Sequence, residues 1–138
     1  MLGLDLPIVT ARSKDEIEAA FADLAKQHVG ALLISPAPVF RTQNDQIIAL
    51  AARYAIPTGY ESTLSTSVGG LMSYGTDLAE VSRQAGVYSG RILKGVKPAN
   101  LPVTQPARFE FVINSKTAKT LGLEIPADLL AMADSVID

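Results

Sequence analysis

Short apolar runs and amphipathic runs take turns along the first sixty residues, and few architectures accept that order. Residues 6–10 (LPIVT) read as a strand, with Pro7 tolerable only at its beginning or on a sheet edge. Ser13 and Glu16 stand at capping-box spacing, which satisfies the free amides that open a helix. Ile17, Ala20, Phe21 and Leu24 then recur at helical spacing, and Gly30 is the expected stop. Residues 31–35 (ALLIS) form an unbroken apolar run, the pattern of a strand covered on both faces. A turn through Pro36 and Pro38 leads to a second helix over residues 42–54, with Ile47, Leu50, Ala51 and Tyr54 inward. Residues 56–60 (IPTGY) make a third strand. Strand, helix, strand, helix, strand predicts an α/β fold: a parallel sheet flanked by helices and joined by right-handed crossovers.

The texture changes after Tyr60. Residues 61–70 are rich in Ser, Thr and Gly and read as a loop. A short strand over residues 71–74 precedes a long helix from Asp77 to Lys94, which carries Leu78, Val81, Ala85, Tyr88 and Ile92 on one stripe before Gly95 ends it. Residues 97–102 hold two prolines and are expected to be extended. Residues 108–113 alternate as a strand, Asn114 or Ser115 can cap a short helix, and Gly122 can end it. Ile125 and Pro126 open a last helical turn through Leu129, Leu130 and Met132. At 138 residues and 48% hydrophobic, the chain has the size of one domain and enough apolar material for a core.

Composition removes much chemistry. Twelve basic against fourteen acidic residues is too balanced for an electrostatic nucleic-acid binder. No cysteine means no disulfide, thiolate nucleophile or thiolate metal site, and a single histidine excludes a multi-histidine site within one chain. No apolar run approaches the roughly 20 residues that span a bilayer. Residues 1–7 carry no basic stretch, apolar core or cleavage signal, so no export signal is expected. Residues 70–75 (GLMSYG) are one residue too long for the G-x-S-x-G nucleophile elbow, and His28 sits at a helix end without an evident partner. No phosphate-binding glycine motif occurs. Gly86 and Gly90 form a small-residue spacing that allows another backbone to approach. No catalytic residue, metal site or cofactor is therefore expected.

Position, not reactivity, picks out the candidates. Ligands of open α/β sheets bind beyond the carboxyl ends of the strands. Ser35 and Pro36 follow the second predicted strand, and Glu61 and Ser62 follow the third. These are the residues where a small molecule would sit, a solvated loop being the alternative. Tyr60 and Tyr74 can stack on a ligand or simply pack.

A long ordered series of motifs then carries a resemblance. Residues 69–75 (GGLMSYG), 91–95 (RILKG), 97–103 (KPANLPV), Gln105 and Pro106, 109–114 (FEFVIN), 116–119 (KTAK) and 121–126 (LGLEIP) resemble the substrate-binding proteins of ABC transporters. More narrowly they are similar to the branch that includes aromatic-amino-acid uptake receptors. The resemblance is strong over residues 61–138 and present in outline over 13–60.

It implies a partial type I periplasmic-binding fold, in which two α/β lobes close on a small molecule without catalysis, and an extracytoplasmic place beside an ABC permease. Only the C-terminal portion of such a receptor is matched, and a chain starting as this one does would be cytoplasmic as given. By that analogy residues 1–60 build a βαβαβ unit of the second lobe. Residues 61–75 are a hinge or crossover segment, and 76–138 are the lobe-bridging end. The implied ligand is an amino acid or similar small organic molecule, tested at Ser35, Pro36, Tyr60, Glu61, Ser62 and Tyr74. A cytosolic ligand-sensing or interaction module built on the same fold is the rival reading. A small α/β enzyme, which loss of turnover in Ser73→Ala would reveal, is a third. The apolar stripe of the long helix, short of a covering lobe, predicts a homodimer, with exchange of residues 71–138 between protomers as one form of it. The alternative is a chain that folds back and covers the stripe itself.

Overall fold

Four of the seven helices among the described residues end the same way, and two of those endings, after α1 and α3, lead directly into a strand. The computed structural model describes residues 5–105 and 108–138; residues 1–4, part of the stretch read for an export signal, and Pro106 of the family-like series lie outside them. In helix α1 (Lys14–Lys26) Ser13 is the N-cap, its hydroxyl accepting from the Glu16 amide at 3.3 Å. The Glu16 carboxylate reaches back to the amide of Arg12 at 2.7 Å, one residue before the cap. The helix does not run to Gly30. His28 adopts φ 51°, its amide bonds to the carbonyl of Ala25, and that of Val29 to Leu24, a Schellman ending. Ala55 (φ 51°) ends α3 (Asn44–Arg53) likewise, while Gly95 and Gly122 do so for α5 (Leu78–Leu93) and α6 (Ser115–Thr120).

The sheet has five strands in the order β1-β2-β3-β4-β5: β1 (Leu32–Leu33), β2 (Thr58–Tyr60), β3 (Met72–Thr76), β4 (Phe109–Asn114) and β5 (Ser135–Ile137). All neighbours are parallel except β3 and β4, which pair antiparallel with Tyr74 opposite Phe111. The expected α/β architecture, a mostly parallel sheet flanked by helices, is present.

Several local expectations are corrected. Residues 6–10 are not a strand: they are exposed and have no ladder partner, because β1 is the last strand on that side. As an edge strand β1 is also uncovered on one face, and Leu33 is 79% exposed. The second helix is two, α2 (Pro38–Thr42) with Pro38 at its first position and then α3, broken at Gln43 (φ −106°, ψ 21°). Residues 61–70 are not all loop. Ser62 caps a short helix α4 (Thr63–Ser67), accepting from the Leu64 amide at 3.3 Å. Pro98–Asn100 form a 3₁₀ turn rather than extended chain. The final helix α7 (Ala127–Met132) is followed by β5, which the sequence did not announce.

The main core lies between α1, α3 and the β1–β2 edge: Ile17, Phe21 and Leu24 face Ile47, Leu50 and Ala51, with Ile56 and Tyr60 beneath. Each of the Ile, Leu and Phe side chains contributes about 1.5–3 kcal/mol on burial. Farther along the sheet Asn114 ties elements together. Its side chain caps α6 through the Thr117 amide (2.9 Å) and donates to the carbonyl of Thr66 in α4 (3.1 Å). Helix α5 is the least covered of the long helices: none of its residues is buried, and of its stripe Tyr88 meets the following segment, its hydroxyl contacting Pro102 and Thr104.

Candidate functional site

The carboxyl ends of β1 and β2 open into a cavity of about 120 Å³. Ser35 lies two residues beyond β1, Tyr60 is the last residue of β2, and Glu61 and Ser62 follow it. All four line the cavity. Pro36 and Tyr74 are not among its lining residues. Side chains alternate across a strand, so on β3 Ser73 faces the interior at 1% exposure and Tyr74 the opposite side at 64%. There Tyr74 stacks on Phe109 (centroids 5.7 Å apart, planes at 11°) and meets Phe111 edge-on at 6.4 Å.

The rest of the wall comes from residues the sequence did not single out. Ile34, Phe40, Ile47 and Leu64 make an apolar floor, and Leu78 reaches in from the start of α5. At the rim Arg41 of α2 donates through Nε (2.9 Å) and Nη2 (2.8 Å) to Oε1 of Glu61. Asn44, first residue of α3, accepts from the Ser65 hydroxyl at 2.7 Å and joins α3 to α4 across one wall. No short-range pattern marks Arg41 or Asn44. Their partners are 20 and 21 residues away, and only the β1–α2–α3–β2 crossover brings them together.

The position of Glu61 is fixed by a close backbone approach. A Cβ added to Gly75 on β3 would fall 1.8 Å from the Glu61 carbonyl oxygen, so only glycine lets β3 pass there. Tyr60 is buried, and desolvation holds its phenol well above the usual tyrosine range. Its hydroxyl has no hydrogen-bond partner among the described residues.

This arrangement can hold a small molecule: an apolar floor with a few convergent polar groups and one ion pair at the mouth. It offers little for reaction. Ser73 is sealed in the sheet, and His28 is exposed at the end of α1. Among the described residues no three acidic or histidine side chains cluster to hold a metal ion, and no helix is long and apolar enough to cross a membrane.

Three solved structures share this fold. The ABC domain in complex with L-Trp from Streptococcus pneumoniae is 27% identical over 98% of this chain and 46% of that one, with a TM-score of 0.87. A conserved domain protein from Vibrio cholerae is 24% identical over 88% and 41%, with a TM-score of 0.80. The ligand-free, open structure of CD0873, a substrate binding protein with adhesive properties from Clostridium difficile, is 17% identical over 93% and 42%, with a TM-score of 0.63. The chain spans less than half the length of each. None of the curated proteins matches it. The family described as ABC transporter substrate binding protein matches over residues 1–137, nearly the whole sequence. With that match and the mostly parallel sheet shared with those structures, the chain belongs to the ABC transporter substrate binding protein family.

Proposed function

We propose that this chain supplies one wall of a binding cleft for an amino acid or similar small organic molecule, delivered without catalysis to an ABC permease outside the cytoplasm. The observation that carries the reading is the cavity beyond β1 and β2, where Ser35, Tyr60, Glu61 and Ser62 converge. The L-Trp complex of a 27% identical neighbour supports an amino acid as the ligand class. In this reading Pro36 shapes the turn behind Ser35, Tyr74 lies outside the wall, and the fold is the partial type I arrangement. Residues 1–60 and 76–138 are then the second-lobe unit and the lobe-bridging end, joined through 61–75. The chain further pairs with a second copy of itself through the open stripe of α5.

Closure of two lobes is what buries a ligand in such a receptor. A 120 Å³ cavity is well below the roughly 300–1,000 Å³ that encloses a drug-sized molecule, so one wall alone should bind weakly. Titration calorimetry and amide chemical-shift mapping against a panel of amino acids test this. Weak binding that shifts resonances around the cavity is the expected result. Tight one-to-one binding by a monomer overturns the single-wall reading, and no shift at millimolar concentration with any amino acid overturns the ligand class.

A further inference from the structure

We infer that the Arg41–Glu61 pair is an exchangeable counter-ion for an amino-acid zwitterion, Arg41 taking the ligand's carboxylate and Glu61 its ammonium group. The inference rests on the solute-binding reading above and adds the two residues that would discriminate within it. Both Arg41 donors converge on the single oxygen Oε1, and among the described residues Oε2 of Glu61 receives no hydrogen bond. Oε2 of Glu61 is thus open to a further donor.

The pair is only lightly held. The Arg41 side chain is 58% exposed and that of Glu61 27%, and an ion pair so open to water stabilises a fold little. Each partner would exchange one charge-assisted contact for another when a zwitterion enters. Charged hydrogen bonds are the strong ones, so the exchange selects for a ligand with both charges on neighbouring atoms. A ligand with one charge would satisfy one partner and leave the other unpaired beside it. The floor selects the remainder, because Ile34, Phe40 and Ile47 are apolar. An α-amino acid with an apolar side chain fits both features, and a phenyl ring serves as the probe. The two partners are placed differently. Glu61 is anchored by the passage of Gly75 across its carbonyl, whereas Arg41 reaches from the exposed side of the short helix α2.

Three probes of one shape separate the charges: L-phenylalanine, phenethylamine, which lacks the carboxylate, and 3-phenylpropionate, which lacks the ammonium group. Chemical-shift titration of the intact chain should find both single-charge probes about tenfold weaker than L-phenylalanine. Arg41→Gln should weaken L-phenylalanine by about the same factor and leave phenethylamine unchanged or tighter. Glu61→Gln should weaken L-phenylalanine and spare 3-phenylpropionate. If the three probes bind the unaltered chain alike, or each variant weakens all of them in proportion, the pair is structural only and the inference falls while the cavity reading stands. If no amino acid of the panel shifts the resonances around the cavity, the amino-acid reading falls and takes the inference with it. The probe series on the unaltered chain needs no variant to fold.

Discussion

Tyr60 shows how one side chain can link the core to the candidate site. Its ring completes the main core and lines the cavity, yet its buried hydroxyl lacks a partner among the described residues. An unmet buried polar group costs about 1–3 kcal/mol, so Tyr60→Phe is expected to stabilise the chain by about 1 kcal/mol in urea unfolding at pH 7. The alkaline limb gives a second signature. Burial raises the folded-state phenol above its ordinary value near 10. Its contribution is therefore fully present below about pH 10. It is lost above that, as the unfolded chain ionises and the folded one does not, by about 1.4 kcal/mol per pH unit. In Tyr60→Phe that component of the slope should vanish. An unchanged alkaline slope would show that Tyr60 is not the group responsible. At this scale the candidate cavity was half legible. Ser35, Glu61 and Ser62 follow predicted strands, and strand ends are where such sheets bind. Arg41 was not legible, because its pairing is with a residue twenty positions away that no local pattern indicates.

Elements were legible where amphipathic periodicity runs long and were lost where tertiary contacts decide. Helices α1 and α5 came from their spacing, and Ile47, Leu50 and Ala51 face inward as the pattern requires. Helix ends were harder. His28 and Ala55 take the left-handed position that favours glycine, because the Schellman bonds to Leu24 and Ala51 turn the chain toward β1 and β2 there. Strand β5 is too short for a period-two signal. It is held by pairing with β4 and by Asp134, whose amide bonds to the Phe111 carbonyl while its carboxylate accepts the Phe111 amide. The crossing of β3 over Glu61 yields a sharp test. Gly75→Ala should cost more than about 2 kcal/mol, since the obstacle is backbone and cannot rotate away. Gly86→Ala, on open α5 with nothing within 4 Å of the new methyl, should instead gain about 0.5–1 kcal/mol from helix propensity. Equal effects in chemical denaturation would contradict the close approach.

On the scale of the whole molecule, α5 is the element whose apolar face the chain leaves open. Leu78, Val81 and Ile92 are 46%, 39% and 42% exposed. Val81, Ala85 and Tyr88 line a groove of about 540 Å³ with Thr104 and Arg108 on its far side. The stripe at 78, 81, 85, 88 and 92 has the alternating three- and four-residue steps of a coiled-coil seam. Its charges suit a second copy run antiparallel. A two-fold axis near Ala85 brings Asp77 at one end opposite Arg91 of the other copy, and does so twice, whereas a parallel pair would gather both Arg91 side chains at one end. The Tyr88 hydroxyl donates to the Pro102 carbonyl at 2.6 Å, which fixes its ring beside the groove. Light scattering at micromolar concentration should therefore find a dimer. Tyr88→Asp should shift it toward monomer or aggregate by placing a charge in the apolar seam, at a cost of several kcal/mol shared over two copies. Arg91→Asp should weaken the dimer less, because an exposed ion pair is worth about 0–1 kcal/mol, and added salt should narrow that difference. A stable monomer across the concentration range would remove the second copy as the occupant of α5. A dimer indifferent to both substitutions would move the interface elsewhere.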